Sequence, residues 1–282
     1  MDTERGNGLA RDPLPLRGRS VVVTGVSRRA GIGYAIACRM AAYGANVFCH
    51  HFAPHDRAQP WGSDDLQAVL EGVRGGLVGE ARVADVSADL GDPHAPERVI
   101  AAAAESFGHL DALVCNQALS GFDGAIGDLT ATDLDRHWAV DARASILLAQ
   151  AFANQFPSDA RGSDAGGSIV FMTSGQGLGP MSGEVAYAAA KAAIAGVTPT
   201  IADQLADRGI RVNTVNPGPV DTGYLGEGGR RSLAPMFPFG RLGTPDDAAR
   251  LVAWLVTDEA GWITGQTLHS EGGFGRWRPR GG

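Results

Sequence analysis

The chain has 282 residues, 44% of them hydrophobic and 20% charged, which is enough to bury a full core near the upper size for one domain. That balance excludes an intrinsically disordered chain and a small disulfide-stapled scaffold. The formal net charge of −7 excludes a surface built for nucleic acid, whose phosphates need a clustered basic footprint.

No run approaches the roughly 18 uninterrupted apolar residues of a membrane span, and the first residues, MDTERGNGLARDPLPLRGR, hold no stretch suited to a secretory signal. The chain reads as soluble and cytoplasmic, without a membrane partner. Cys38, Cys49 and Cys115 form no CxxC pair and sit among apolar neighbours, as reduced buried thiols do. Of 24 basic residues all but one are arginine, so the single lysine, Lys191, marks a place where an ammonium is needed.

Strands are expected at Ser20 to Thr24, Asn46 to His50, Arg82 to Ala88, Asp111 to Cys115, Ser168 to Thr173, Ile210 to Val215 and Gln266 to His269. Between them lie helix-length segments. Ile32, Ile36, Met40 and Tyr43 line one face of the first. Further helices are expected at Asp64 to Val73, Pro96 to Phe107, Thr132 to Gln155, Val185 to Asp207 and Pro245 to Thr257, the last capped by Thr244 with Pro245 in its first turn. Continuous apolar strands alternating with helices predict an α/β fold: a single-domain, Rossmann-type, doubly wound parallel sheet of about seven strands with helices on both faces. Residues 1–15 and 276–282 read as tails around a domain spanning 16–275. The irregular stretch at 223–241 reads as a lid.

In SVVVTGVSRRAGIGYAIA a strand, a glycine-rich turn and a helix follow one another directly. Gly25, Gly31 and Gly33 let the backbone approach a pyrophosphate, Ser27 and Arg28 sit on the loop, and the helix N-terminus starting at Ile32 supplies free N–H groups. The second strand ends in His50, His51 and Phe52, without the acid that would hold a ribose 2′-hydroxyl. Arg28, Arg29 and His51 suit a 2′-phosphate instead, so NADP(H) is expected in preference to NAD(H). No metal site is expected, because adjacent histidines on a strand point to opposite faces.

Tyr187 and Lys191, four apart on an expected helix, put a phenol and an ammonium on one face. A cation there favours phenolate and draws the tyrosine pKa down, making a competent general acid or base. Ser174, at the end of the fifth strand, is placed to hydrogen-bond the reacting oxygen.

With these residues on the page, the chain resembles the classical short-chain dehydrogenase/reductase family over about residues 16 to 275. TGVSRRAGIG is similar to its nucleotide loop and Asn116-Gln117-Ala118 to its NNAG segment. Ser174, Tyr187 and Lys191 are similar to its catalytic set, Asn216 to Thr222 to its PG-x-x-x-T stretch, and Glu271-Gly272-Gly273 to its closing motif. It most resembles bacterial 3-oxoacyl carrier-protein reductase-like members, some of which share an extended loop ending in Pro60-Trp61-Gly62.

The resemblance implies hydride transfer between a nicotinamide and a ketone or secondary alcohol, small or carrier-bound, in a homotetramer. Tyr187 would protonate the alkoxide, Ser174 would polarise the carbonyl, and Lys191 would hold the nicotinamide ribose and lower the Tyr187 pKa. Asp89 and Leu90, rather than Asp85, would border the adenine, and Asn116 would line the cofactor cleft. Pro217, Gly218, Val220 and Thr222 would run along the nicotinamide. Gln176, Glu184, Tyr224 and Phe237 are candidates for the substrate.

The chain departs from the family in its glycine loop, which has five residues between Gly25 and Gly31 where the common form has three. Gln117 and Leu119 replace an Asn and a Gly, and Asp141 stands where the family has its fourth catalytic residue, an Asn. A carboxylate there is expected to offset the pull of Lys191 on Tyr187 and to raise the pH optimum. The alternative is a regulatory or scaffold protein of the same fold that binds the cofactor without turnover.

Overall fold

Strand β1 (Ser20–Val23) feeds helix α1 (Ile32–Ala42) and then strand β2 (Asn46–His51). The structure, a computed structural model, describes residues 11–158 and 166–275. Most of residues 1–15, and all of 276–282, therefore lie outside the described residues. The chain continues through α2 (Ala53–Arg57), α3 (Leu66–Arg74), β3 (Val83–Ser87), α4 (Ala95–Phe107), β4 (Ala112–Cys115) and α5 (Ala131–His137). A π-helical segment at Trp138–Arg143 leads into α6 (Ala144–Ala153), followed by β5 (Gly167–Met172), α7 (Val185–Ala206) and β6 (Ile210–Asn216). Helices α8 (Glu227–Leu233) and α9 (Pro245–Leu255) and strand β7 (Thr267–His269) complete the order.

The strands form one seven-stranded sheet in the order β3-β2-β1-β4-β5-β6-β7, every pair parallel. This is the doubly wound, Rossmann-type α/β sheet, and its order reverses at β1 and β4, where a crevice opens beyond the carboxyl ends of the strands. The period of two along each strand divides the core between the faces. Val21 and Val23 of β1 and Ala112 and Val114 of β4 pack with α1, α3 and α9. Val22, Leu113 and Cys115 pack with α4, α6 and α7. Each fully buried valine or leucine contributes about 1.5–3 kcal/mol of burial free energy.

Helix α7 is long and apolar enough to cross a membrane by length and composition, but here it packs on β6 and carries Pro199 without ending. The stretch 132–155, expected as one helix, breaks into α5, the π segment and α6. Side chains claim the carbonyls at the break: Gln117 Nε2 donates to Val140 O at 3.2 Å and Ser145 Oγ to Asp141 O at 2.8 Å. Competition of this kind loosens the regular ladder. Helix α8 occupies part of the 223–241 stretch, expected to be irregular, and α2 lies in the extended loop that ends in Pro60-Trp61-Gly62.

Candidate active site

The loop after β1 rests against the end of β4. Asn116 donates from Nδ2 to Thr24 O at 3.0 Å, and its backbone N–H donates to Thr24 Oγ1 at 2.9 Å. Gly25 adopts φ +73°, and a Cβ at Gly33 would come within 2.3 Å of Gly25 O and 2.6 Å of Asn116 Nδ2. Only glycine fits this turn. The first turn of α1 has no side-chain cap and no acid, so its N–H groups and partial positive charge face the cleft.

That cleft is a cavity of about 860 Å³, the size of a large ligand site. Gly25, Ser27, Arg28, Gly31, Ile32, Gly33, Asp89, Leu90, Asn116 and Thr222 line it. A glycine cradle that a Cβ would fill, an open helix end and a cavity of this size fit a dinucleotide. Pro217, Gly218 and Val220 stand outside the lining. Gly218 turns at φ +66° against Glu271, and Asn216 Nδ2 ties this turn to the Glu271 carboxylate at 3.0 Å.

The three groups expected at a 2′-phosphate have other partners. His51 is buried on the far side of β2 with Nε2 3.1 Å from Asp85, and the histidine that lines the cavity is His50. This corrects the expectation for His51: alternation along the strand turns it away. His50 Nδ1 accepts from Gly25 N–H at 3.4 Å and Nε2 faces Ala88 O at 2.9 Å. Burial pushes its pKa down to about 4, so the ring is neutral. Arg29 points to Asp64 at 3.6 Å. Arg28 donates to Thr222 O at 3.0 Å and lies over the Trp61 ring at 5.3 Å. Trp61 is the residue of the extended loop that sequence reading singled out, and this contact is what it does.

Sequence reading missed Asp56. It lies on α2, five residues beyond the end of β2, and lines the cavity with its carboxylate accepting from Ser27 Oγ at 2.5 Å. It sits on a short helix that no local pattern announces.

The catalytic candidates Ser174, Tyr187 and Lys191 stand outside the lining of this cavity, and Lys191 is joined to it through Gln117. Lys191 is 2% exposed, and its Nζ donates to Met172 O at 3.1 Å and Gln117 O at 3.4 Å. It lies 5.6 Å from the centroid of the half-buried Tyr187 ring. Ser174 is close enough to act on the Tyr187 hydroxyl, and its Oγ approaches Met181 Sδ at 3.8 Å.

Burial raises the Tyr187 pKa, an ionised Asp141 without a counter-charge would add to the rise, and the Ser174 hydroxyl opposes it. The phenol therefore sits above its ordinary value, where the sequence expectation was a pull downward by Lys191. The ammonium itself is pushed down by burial and held up in part by Asp141.

Asp141 is fully buried in the π segment, with Oδ1 accepting from Leu119 N–H at 2.8 Å and Oδ2 2.9 Å from His137 Nδ1. Its backbone carbonyl accepts from Ser145. Neither His137 nor Asp123 was a sequence candidate, and neither sits in a recognisable motif. Asp123 caps α7 from the loop between β4 and α5, accepting the N–H groups of Ala186 and Tyr187 at 2.8 Å each.

The substrate candidates divide. Gln176 donates to Thr173 Oγ1 at 3.1 Å and leaves its buried Oε1 without a partner among the described residues. Glu184 and Tyr224 are close enough for their charges to act on each other and on Tyr187. Phe237 is a correction: it is 4% exposed and packs its ring 4.9 Å from Phe274 in a small satellite core with Met236. It anchors the 223–241 segment and lies away from the cleft.

A family model described as enoyl-(acyl carrier protein) reductase matches residues 25–275. The chain is 42% identical over 253 residues to the uncharacterized oxidoreductase YjdA of Bacillus subtilis, covering 90% of this chain and 95% of that one. It is 31% identical to an NADPH-dependent aldehyde reductase-like protein of Arabidopsis thaliana, covering 95% and 98%. Among solved structures, a short-chain dehydrogenase/reductase from Serratia marcescens superposes with TM-score 0.78 at 35% identity, covering 92% and 99%.

The sheet, the glycine cradle and these relatives define a nucleotide-dependent oxidoreductase. The chain belongs to the classical short-chain dehydrogenase/reductase family, and its cofactor is a nicotinamide dinucleotide.

Proposed function

We propose that the protein reduces a ketone, or oxidises the matching secondary alcohol, with NADP(H) preferred over NAD(H) and with Ser174, Tyr187 and Lys191 as its catalytic set. The observation that carries the reading is Tyr187 at the start of α7, one turn from the buried Lys191, whose Nζ lies 5.6 Å from its ring, with Ser174 close enough to act on the phenol.

When bound, the nicotinamide supplies or accepts the hydride. Ser174 donates a hydrogen bond to the carbonyl oxygen and fixes its position. Tyr187 gives its phenolic proton to that oxygen in reduction and takes it back in oxidation. Its raised pKa keeps it protonated, and so competent as an acid, well into the alkaline range. Lys191, fixed by two backbone carbonyls, holds the nicotinamide ribose and the positive end of the site.

The NADP(H) preference rests on Arg28. Its single bond to Thr222 leaves most of its five donors free, and among the described residues no carboxylate pairs with it. A cleft-lining cation in that state suits a phosphate. Asp56 opposes the preference from beside Ser27.

The substrate class that fits is a small or carrier-bound ketone, including a 3-oxoacyl thioester, taken under a lid at 223–241 with Gln176, Glu184 and Tyr224 at its polar end. Trp262 is 100% exposed just before β7, which supports burial of that edge in a homotetramer; light scattering measures it. The working compartment is the cytoplasm and the catalytic domain spans 16–275.

The test is NADPH consumption against a ketone panel, with Tyr187→Phe beside wild type. Loss of about 10²–10⁴ in kcat with unchanged cofactor binding supports the reading. Tight cofactor binding with no turnover by wild type supports instead the alternative of a regulatory or scaffold protein.

A further inference from the structure

His137 closes α5, and Asp141 follows it by four residues. Both are buried, His137 at 1% exposure and Asp141 at 0%. His137 Nε2 lies 2.9 Å from Gly121 O. A carbonyl oxygen only accepts, so Nε2 carries a hydrogen. Nδ1 lies 2.9 Å from Asp141 Oδ2, and a contact this short in a buried site needs a proton between the two atoms; without one, two lone pairs would face each other away from water. Asp141 Oδ1 already accepts from Leu119 N–H. The pair is then either imidazolium with carboxylate or imidazole with carboxylic acid. Both placements sum to zero charge.

We propose that His137 is a positioning residue that neutralises Asp141 by sharing one proton between Nδ1 and Oδ2, so that the pair presents no net charge to Tyr187 and Lys191. The inference rests on the Tyr187 reading above and deepens it. It replaces the sequence expectation that a bare carboxylate at this position acts on the phenol: the pair does the electrostatic work of a neutral amide while keeping the hydrogen bond to Leu119.

The groups facing the pair are few. From the loop before α5, Asp123 Oδ2 lies 3.9 Å from His137 Nε2, beyond hydrogen-bonding distance and already committed to the N–H of Tyr187. From α7, the Tyr187 ring meets the imidazole edge to face at 6.0 Å, Lys191 acts on Asp141 across the site, and Glu184 lies beyond Tyr187. On α5 itself Asp133 is exposed and held by Thr130.

Burial works against a charge on His137, but the hydrogen bond and charge of Asp141, then Gly121 and Asp123, outweigh it and raise its pKa. That direction holds the shared proton on the pair more firmly than a free imidazole would hold it.

The experiment titrates the Tyr187 phenol by ultraviolet difference spectroscopy, each protein against its own Tyr187→Phe form, alongside the pH profile of alcohol oxidation. His137→Gln keeps a donor to Oδ2 but removes the shared proton; the expected result is a rise of about one unit in the Tyr187 titration, carried into the acidic limb of the profile. His137→Gln combined with Asp141→Asn is expected to restore the wild-type value.

A titration unmoved by His137→Gln, or a shift the double variant does not reverse, overturns the proposal. Should His137→Gln fail to fold, the isosteric Asp141→Asn decides. With the pair neutral, its phenol titrates where wild type does, and a fall of about one unit shows that Tyr187 already felt a bare carboxylate. The absorbance reading needs no turnover, so failure of the catalytic reading shows separately, in a wild type that binds cofactor and reduces nothing.

Discussion

Asp123 accepts the backbone N–H of Tyr187 at 2.8 Å from a loop 64 positions earlier in the chain. The proposed proton donor is thus held at the first turn of α7 by a carboxylate from the far side of the cleft, which also takes the N–H of Ala186. Asp123→Ala frees two donors at a helix N-terminus and is expected to cost about 1 kcal/mol of stability. Displacement of Tyr187 adds a loss of about 10²-fold in kcat. Thermal melts and steady-state kinetics of the one variant separate the effects, and equal losses of activity and folded fraction would leave Asp123 as a cap alone.

Gly33 is the second tight point. Its missing Cβ is replaced by Gly25 O and Asn116 Nδ2, so Gly33→Ala must push the glycine loop off the end of β4. Overpacking of this kind costs about 1–3 kcal/mol, and the cofactor is expected to bind at least about tenfold more weakly, or 1.4 kcal/mol. Gly228→Ala on α8, where nothing lies within 4 Å of the new atom, is expected to leave binding unchanged and to gain up to about 1 kcal/mol of helix propensity. Fluorescence titration with the reduced nicotinamide dinucleotide reads both.

Elements whose physics is local were legible in the chain. The strands are apolar runs bounded by turns, and each falls within a residue or so of its expected ends. The Thr244 cap announces α9, and the glycine cradle and the Tyr187–Lys191 spacing lie within single elements. What escaped depends on partners distant in sequence. The π segment arises because Gln117 and Ser145 bond to carbonyls of one helix, and the periodicity of 132–155 holds no trace of that. Asp141 is marked by its place in the family's motif, but His137 reads as an ordinary polar helix residue until burial makes the two a pair. Asp56 was missed because the acid was sought at the end of a strand, and Phe237 was misplaced because an aromatic in a loop looks alike whether it faces a ligand or Phe274.

Arg28 and Asp56 face the same cleft with opposite charge, so cofactor preference is a difference between them. NADPH is expected to bind at least about tenfold more tightly than NADH, or 1.4 kcal/mol. Arg28→Ala is expected to remove most of that margin and Asp56→Asn to widen it, because loss of a like charge favours a phosphate. Paired titrations with the two reduced cofactors measure all three proteins. Tighter binding of NADH by wild type would instead assign Asp56 to the ribose hydroxyls and leave Arg28 to the pyrophosphate.

Tyr224 and Phe237 lie on one segment and are expected to fail differently. Phe237 is buried against Phe274, so Phe237→Ala should cost about 3 kcal/mol, visible as a lower Tm, with the order of preference among ketones kept. Tyr224 is 47% exposed, and its hydroxyl pKa is raised by burial and by Glu184 and Asp221, which places that end near the polar side of the proposed substrate site. Tyr224→Phe should leave Tm unchanged and raise KM for substrates with a polar group beside the carbonyl, since it removes one hydrogen bond of about 0.5–1.5 kcal/mol. A KM unchanged across such a panel would remove Tyr224 from the substrate site and leave the 223–241 segment without a recognised contact.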